Sequence, residues 1–315
     1  MSMSDRVRQL RELSLNTPAT LSAERAELMT EFYSSDNGAH SPAVRRALAF
    51  RHLMESKKLY IGEGELIVGE RGPAPKETPT FPEICCHTLE DLDILDSREK
   101  VSFAVSDEVR AAFRDRIIPF WEGRSLRDIL FNEMTDDWKT AYDAGLYTEF
   151  MEQRAPGHTT LDGKFYGKGL EDFQADIELA LAALDPADPE LVARREQLRA
   201  MRLSCDAVIL FAERHADHAE ELARSATSER AAELREIARI CRRVPRLAPR
   251  TFHEALQMYW FMHLGTITEL NGWDAMNPGH LDRYFQPFYD RDLRTRILDR
   301  ERAKELLGCF WIKFD

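Results

Sequence analysis

Thr251-Phe252-His253-Glu254-Ala255-Leu256-Gln257-Met258-Tyr259-Trp260-Phe261-Met262-His263-Leu264 decides what kind of chain this is. Thr251 and Glu254 form a capping box after Pro249, so a helix opens here. Phe252, Leu256, Tyr259, Trp260, Phe261, Met262 and Leu264 leave that helix without a polar face. Such a helix is buried on every side and needs a shell of other elements around it. Two histidines inside it, His253 and His263, read as core residues whose ring nitrogens find partners.

The shell reads as helical. Leu170, Phe173, Ile177, Leu181 and Leu184 fall at three- and four-residue steps and stop at Pro186. From Pro189 to about Thr227 a stripe runs through Leu198, Met201, Cys205, Val208, Ala212 and Leu222, and Leu234, Ile237 and Cys241 continue it. This pattern predicts a helical hairpin packed on the outside of something larger. After the buried helix comes a polar, glycine-containing stretch, residues 268–279, and a final helix opens at Asp299. Ala303, Leu306, Leu307, Phe310, Trp311 and Phe314 form its apolar stripe, and the sequence stops at Asp315. A stripe so aromatic needs a partner. It is expected to follow, which makes this the amino-terminal part of a longer protein or one half of a split one.

Toward the amino terminus, residues 5–34 carry two helical patterns separated by Asn16-Thr17-Pro18, with Ser22 as the second cap. Ser41-Pro42 opens another helix in the favoured order of cap and proline. Residues 59–61 and 66–69, joined by Gly62-Glu63-Gly64-Glu65, read as strand, turn and strand. Residues 71–82 hold four prolines and read as irregular. Thr88 resembles the start of a capping box. Ser106 starts a helix whose stripe of Val109, Phe113 and Ile117 stops at Pro119, and Thr135 starts one bearing Trp138 and Tyr142.

Composition narrows the function. The chain has 315 residues, 43% hydrophobic and 31% charged, enough for a sizeable core. A net charge of -12 argues against a nucleic-acid backbone or an anionic membrane as partner. No apolar run is long enough to span a bilayer, and MSMSDRVRQLREL is no secretory signal, so a cytoplasmic location is expected. Five cysteines without framework spacing suit free thiols. No P-loop, G-x-G-x-x-G, G-x-S-x-G or H-E-x-x-H motif occurs.

One stretch is dense in chemistry: Glu149-Phe150-Met151-Glu152-Gln153-Arg154-Ala155-Pro156-Gly157-His158-Thr159-Thr160. Two acids, an amide, an arginine and a histidine sit beside Phe150, and Pro156-Gly157 forces a turn before His158. That suits a ligand pocket built by loops. Spacing alone favours a surface turn in which Arg154 pairs with Glu149 or Glu152, although Arg154 could equally take a substrate carboxylate. Asp274, in Asn271-Gly272-Trp273-Asp274, reads as a turn or cap residue or as a pocket carboxylate. His215 and His218, with Glu213, Asp217 and Glu221, suggest a metal cluster, but acids on several sides of one helix favour a solvated face.

Five segments in order resemble glycyl radical enzymes, the pyruvate formate-lyase-like family. They are ELIVGE at 65–70, PEICCHTLEDL at 82–92, EFMEQRAPGHT at 149–159, QMYWF at 257–261 and TELNGWDAMNPGHLD at 268–282. The first of these to carry pocket residues, EFMEQRAPGHT, is most similar to the branch that dehydrates trans-4-hydroxy-L-proline. The resemblance implies a helix-rich α/β fold, here the amino-terminal portion of a ten-stranded α/β barrel, as a single partial domain over 1–315 that ends before the cysteine and glycyl radical loops. None of the five cysteines resembles the thiyl cysteine, and Cys85-Cys86 lies in what resembles a structural segment.

By the same resemblance Phe150, His158 and Asp274 match pocket residues of the dehydratases, His158 and Asp274 in catalytic roles and all three binding substrate. Implied with them are a glycyl radical in a carboxy-terminal part, an activating enzyme of the radical S-adenosylmethionine iron–sulfur class, and a homodimer. The chain alone is expected to be inactive. Other readings are a formate acetyltransferase, a diol dehydratase, a carbon–sulfur or carbon–nitrogen lyase, or a non-catalytic truncated or split product.

Overall fold

A computed structural model describes residues 3–36, 38–147, 162–270 and 278–314. It is helix-rich, and its centre is the helix Phe252–Glu269, in which every residue from 255 to 265 is buried. The capping box is present: Thr251 Oγ1 accepts the Glu254 N–H at 3.1 Å, and the Glu254 carboxylate accepts the Thr251 N–H at 3.2 Å. Caps also form at Ser41, Thr88, Ser106 and Thr135.

The strand–turn–strand expected over residues 59–69 is not formed. Residues 66–69 are buried but form no strand, and their partner is the side-chain row of the buried helix. His253 Nε2 donates to Leu66 O at 2.8 Å, and Trp260 Nε1 donates to Gly69 O at 2.9 Å. Between them the Gln257 amide accepts the Val68 N–H and donates to Val68 O, both at 2.9 Å. Backbone groups that a sheet would satisfy are satisfied by a helix face. Among the described residues the two strands are Thr20–Ser22 and Glu77–Pro79, paired in parallel. The proline-rich stretch is therefore not wholly irregular. Ser22, expected as a cap, lies in the first strand; Ala23 is the cap position, and Ser22 Oγ accepts the Glu24 N–H at 3.3 Å.

The helical hairpin is more central than expected. Leu191–Ala223, a helix of 33 residues, packs along Pro42–Ser56 and turns back as Ser228–Arg243. Ala207, Ala212, Ala216 and Ala219 are buried and let the neighbouring backbones approach closely. His215 is fully buried, not on a solvated face, with Nδ1 on Phe211 O at 2.9 Å. Asp217 instead pairs with Arg242 at 2.8 Å. Among the described residues no group of His, Cys, Asp or Glu is arranged to hold a metal ion.

The final helix, Arg300–Ile312, is capped by Asp299 as expected. Its stripe has a partner within the chain. Ala303, Leu306 and Phe310 are buried, with the Phe310 ring 5.7 Å from that of Tyr259. The first helix, Asp5–Asn16, closes the other side, where Val7 lies against Gly308. Trp311 alone of the stripe is half exposed. Lys313, just past this helix, is buried between Glu65 and Glu70 at 2.5 Å from each.

Some helices carried no signal strong enough to anticipate. Leu126–Glu133 opens on a capping box at Ser125, and Leu281–Arg294 holds Pro287 in its interior. The stripe that was to stop at Pro119 continues to Trp121 through the π-helical turn Phe113–Ile117. There the Ile118 N–H reaches back to Phe113 O, the wider turn that accommodates a following proline.

Candidate functional site

Phe150, His158 and Asp274, together with Glu149, Glu152 and Arg154, lie outside the described residues. What the structure describes is the frame on which their two segments are mounted. Asp162 follows His158 by four residues, and Leu270 precedes Asp274 by four.

The frame is tied together where the first segment re-enters it. Tyr284, on Leu281–Arg294, donates a hydrogen bond from its hydroxyl to Asp162 Oδ1. A Cβ on the neighbouring Gly163 would lie 3.0 Å from the Tyr284 ring, so the small residue permits this approach. The short helix Lys164–Gly167 then inserts Phe165 into the core, its ring 6.5 Å from Tyr259. Tyr166 packs its ring at a tilt 5.4 Å from Tyr284 and meets Phe285 edge-on at 5.6 Å. Leu281–Arg294 is also the helix that follows residues 271–277. One element thus anchors the exits of both segments.

The Tyr166 hydroxyl is buried and has no hydrogen-bond partner among the described residues. Burial, reinforced by Tyr259 and Tyr284, pushes its pKa up, so it remains a neutral donor. His263 is neutral as well. Burial lowers its pKa to about 4, Nδ1 hydrogen-bonds the Tyr259 hydroxyl at 3.2 Å, and its ring stacks on Trp260 at 5.2 Å. As expected from sequence, both histidines of the buried helix are core residues with partners.

At the start of the second segment two arginines converge on the end of the buried helix. Arg25 Nε donates to Thr268 O at 2.8 Å, and Arg46 Nη2 donates to Glu269 O at 3.3 Å. Cations at a helix carboxy terminus complement its dipole. Arg46 and Glu269, which also form an ion pair, close one end of a cleft of about 830 Å³ lined by Phe50, Phe173, Ile177, Met201 and Val208. Sequence reasoning did not single out Arg25 or Arg46. They stand 243 and 223 positions from their helix-end partners, and arginines on amphipathic helices are common.

The thiols are not set up for ionic chemistry. No described cysteine is in a disulfide. Burial first, then nearby Cys85 and acids, pushes Cys86 up to about 12. Burial likewise raises Cys205 to about 11 and Cys309 to about 12. Thiols held protonated in this way are weak nucleophiles, which fits the structural reading of the Cys85-Cys86 pair.

Similarity to known proteins is consistent along the chain. Residues 2–315 match the Pyruvate formate lyase-like family. The chain is 48% identical over 313 residues to the trans-4-hydroxy-L-proline dehydratase of Clostridioides difficile, covering 99% of this chain and 40% of that protein. It superposes on the crystal structure of the C. difficile hydroxyproline dehydratase with bound trans-4-hydroxy-L-proline, at a TM-score of 0.95 and 47% identity over 99% of this chain and 40% of that one. An isethionate sulfite-lyase of Nitratidesulfovibrio vulgaris is 32% identical over 98% of this chain and 38% of its own length. The structure of a glycyl radical enzyme from Archaeoglobus fulgidus superposes at a TM-score of 0.89 with 30% identity, over 98% of this chain and 40% of that one. The chain spans about 40% of the length of the first of these relatives. This chain belongs to the pyruvate formate lyase-like family.

Proposed function

We propose that this chain is the amino-terminal portion of a glycyl radical dehydratase that removes water from trans-4-hydroxy-L-proline, giving a pyrroline carboxylate. The observation that carries the reading is 48% identity along 99% of the chain to a dehydratase of that name. The frame adds support, since one helix anchors the exits of both segments in which the pocket residues are placed. In this reading the outer helices and residues 66–69 contribute to a ten-stranded barrel, and 1–315 is one partial domain of it.

The glycyl radical, acting through a cysteine, supplies removal of a hydrogen atom from the carbon next to the one bearing the hydroxyl. Nothing described here is placed to carry that step, because Cys241 and Cys309 are packed in the core and no cysteine resembles the thiyl loop. Both radical residues are assigned to the part of the relatives that this chain does not cover. The role of this chain is the pocket wall. His158, steered by Asp274, gives a proton to the departing hydroxyl so that it leaves as water. Phe150 packs on the pyrrolidine ring and excludes solvent. A radical S-adenosylmethionine activating enzyme, a homodimer and a cytoplasmic setting complete the proposal, and residues 1–315 alone are inactive.

Sequencing the gene beyond the codon for Asp315 tests this. An in-frame or adjacent frame encoding a cysteine loop and a radical-glycine loop is expected. If neither exists, the chain is no part of a self-sufficient dehydratase.

A further inference from the structure

The end of the buried helix Phe252–Glu269 is held more tightly than burial requires. Arg25 is 5% exposed, and its guanidinium lies 3.9 Å over the Phe81 ring. Four of its five N–H groups have acceptors. Nε donates to Thr268 O at 2.8 Å, and Nη1 to Thr80 O and Glu83 Oε2, both at 3.1 Å. Nη2 donates to Glu83 Oε1 at 2.5 Å. The helix Glu24–Ser35, residues 80–83 and the end of the buried helix are thereby joined at one planar group. Only a fork of fixed geometry satisfies three separate segments at once; an ammonium on a flexible stem does not.

Arg46, on the helix Pro42–Ser56, reaches the same helix end with a half-exposed side chain. It donates to Glu269 O at 3.3 Å and pairs with the Glu269 carboxylate. The last two carbonyls of the helix, normally left to water, are each taken by an arginine. Leu270, whose N–H closes on Thr266 O at 2.9 Å, is the last residue before 271–277.

We propose that Arg25 and Arg46 are positioning residues that fix the point from which the chain departs toward Asp274, an assignment of function that rests on the dehydratase reading. They act through the helix end, and a displacement there of about 1 Å is enough to cost on the order of 100-fold in rate when the displaced group must meet a reacting centre.

Hydrogen–deuterium exchange on the full chain tests the clamp without any turnover. Arg46→Ala is expected to speed exchange at Glu269 and Leu270 by about 10-fold or more, while peptides from Leu191–Ala223 and Arg300–Ile312 exchange as before. Arg46→Lys is expected to restore protection, since one cation at one carbonyl suffices, whereas Arg25→Lys is not. Unchanged exchange at Leu270, or an equal rise everywhere, overturns the clamp. In the assembled, activated enzyme Arg46→Ala is expected to lower kcat by about 10-fold or more with KM little changed, and Arg46→Lys to recover it. A kcat equal to wild type overturns the positioning role. If wild type itself leaves hydroxyproline untouched, the dehydratase reading falls and the positioning role falls with it, while the exchange data still decide the clamp.

Discussion

Gln257 and Val68 meet through both halves of one amide, two hydrogen bonds of 2.9 Å in a fully buried place. The side chain gives Val68 what a neighbouring strand would give: an acceptor for its N–H and a donor for its carbonyl. His253 and Trp260 extend this row to Leu66 and Gly69. The row explains how a buried segment outside any strand lies beside an apolar helix with its backbone groups paired.

Gln257→Ala strands two buried backbone groups. At about 1–3 kcal/mol for each unsatisfied group, the expected loss is about 2–6 kcal/mol in urea unfolding at neutral pH. Gln257→Glu is expected to be at least as costly, because a carboxylate cannot donate to Val68 O. A loss under about 1 kcal/mol for both variants would show that the pairing contributes little.

Gly69 has φ +112°, and a Cβ there would lie 2.6 Å from Leu264 Cδ1. Gly69→Ala meets both the backbone restriction and the overpacking, so a cost of about 2–4 kcal/mol is expected. A thermal midpoint equal to wild type would contradict it.

Two buried histidines set an acid limit. Burial lowers His215 to about 3 and His263 to about 4, both below the unfolded value of about 6.5. Between these values the unfolded chain binds the protons and the folded one does not. Stability from neutral imidazoles is therefore full above pH ~6.5 and lost as pH falls toward 4, by up to about 1.4 kcal/mol per pH unit for each. Urea unfolding from pH 7 to pH 4 checks this, and His263→Gln should make the fall shallower. An unchanged slope would remove His263 from the cause.

Lys313 neutralises two carboxylates in a buried place, and burial already raises Glu65 above its ordinary range. Lys313→Met leaves them facing each other, with an expected cost of about 3–5 kcal/mol at pH 7. Without the ammonium the Glu65 carboxyl, already raised by burial, is favoured further toward the protonated form, so the difference from wild type should narrow as pH falls toward 5. A difference constant with pH would mean that Lys313 acts by packing alone.

The sequence made local order legible where a single turn of chain holds the signal. Caps at Ser41, Thr88, Ser106, Thr135 and Asp299 need only a short side chain and an N–H two or three residues on. The all-apolar helix after Thr251 declared its own burial. What stayed hidden depends on distant partners. Thr20–Ser22 pairs with Glu77–Pro79 far along the chain, and residues 66–69 look like a strand because their partner, a row of helix side chains, has no pattern of its own. His215 was misread because exposed acids flank it, although its own position on the helix faces the core. Phe150, His158 and Asp274 are proposed as pocket residues through family resemblance alone, since spacing around Phe150 and His158 favours a surface turn and these residues lie outside the described ones.

The most direct test is anaerobic turnover. The assembled protein, treated with its activating enzyme, is given trans-4-hydroxy-L-proline, 1,2-propanediol or isethionate, and pyrroline carboxylate is followed beside a sample of residues 1–315 alone. Expected is pyrroline carboxylate from hydroxyproline with the assembled enzyme and none with 1–315. Turnover of either other compound in place of hydroxyproline would contradict the dehydratase reading, and turnover by 1–315 unaided would contradict the assignment of the radical residues to the part that this chain does not cover.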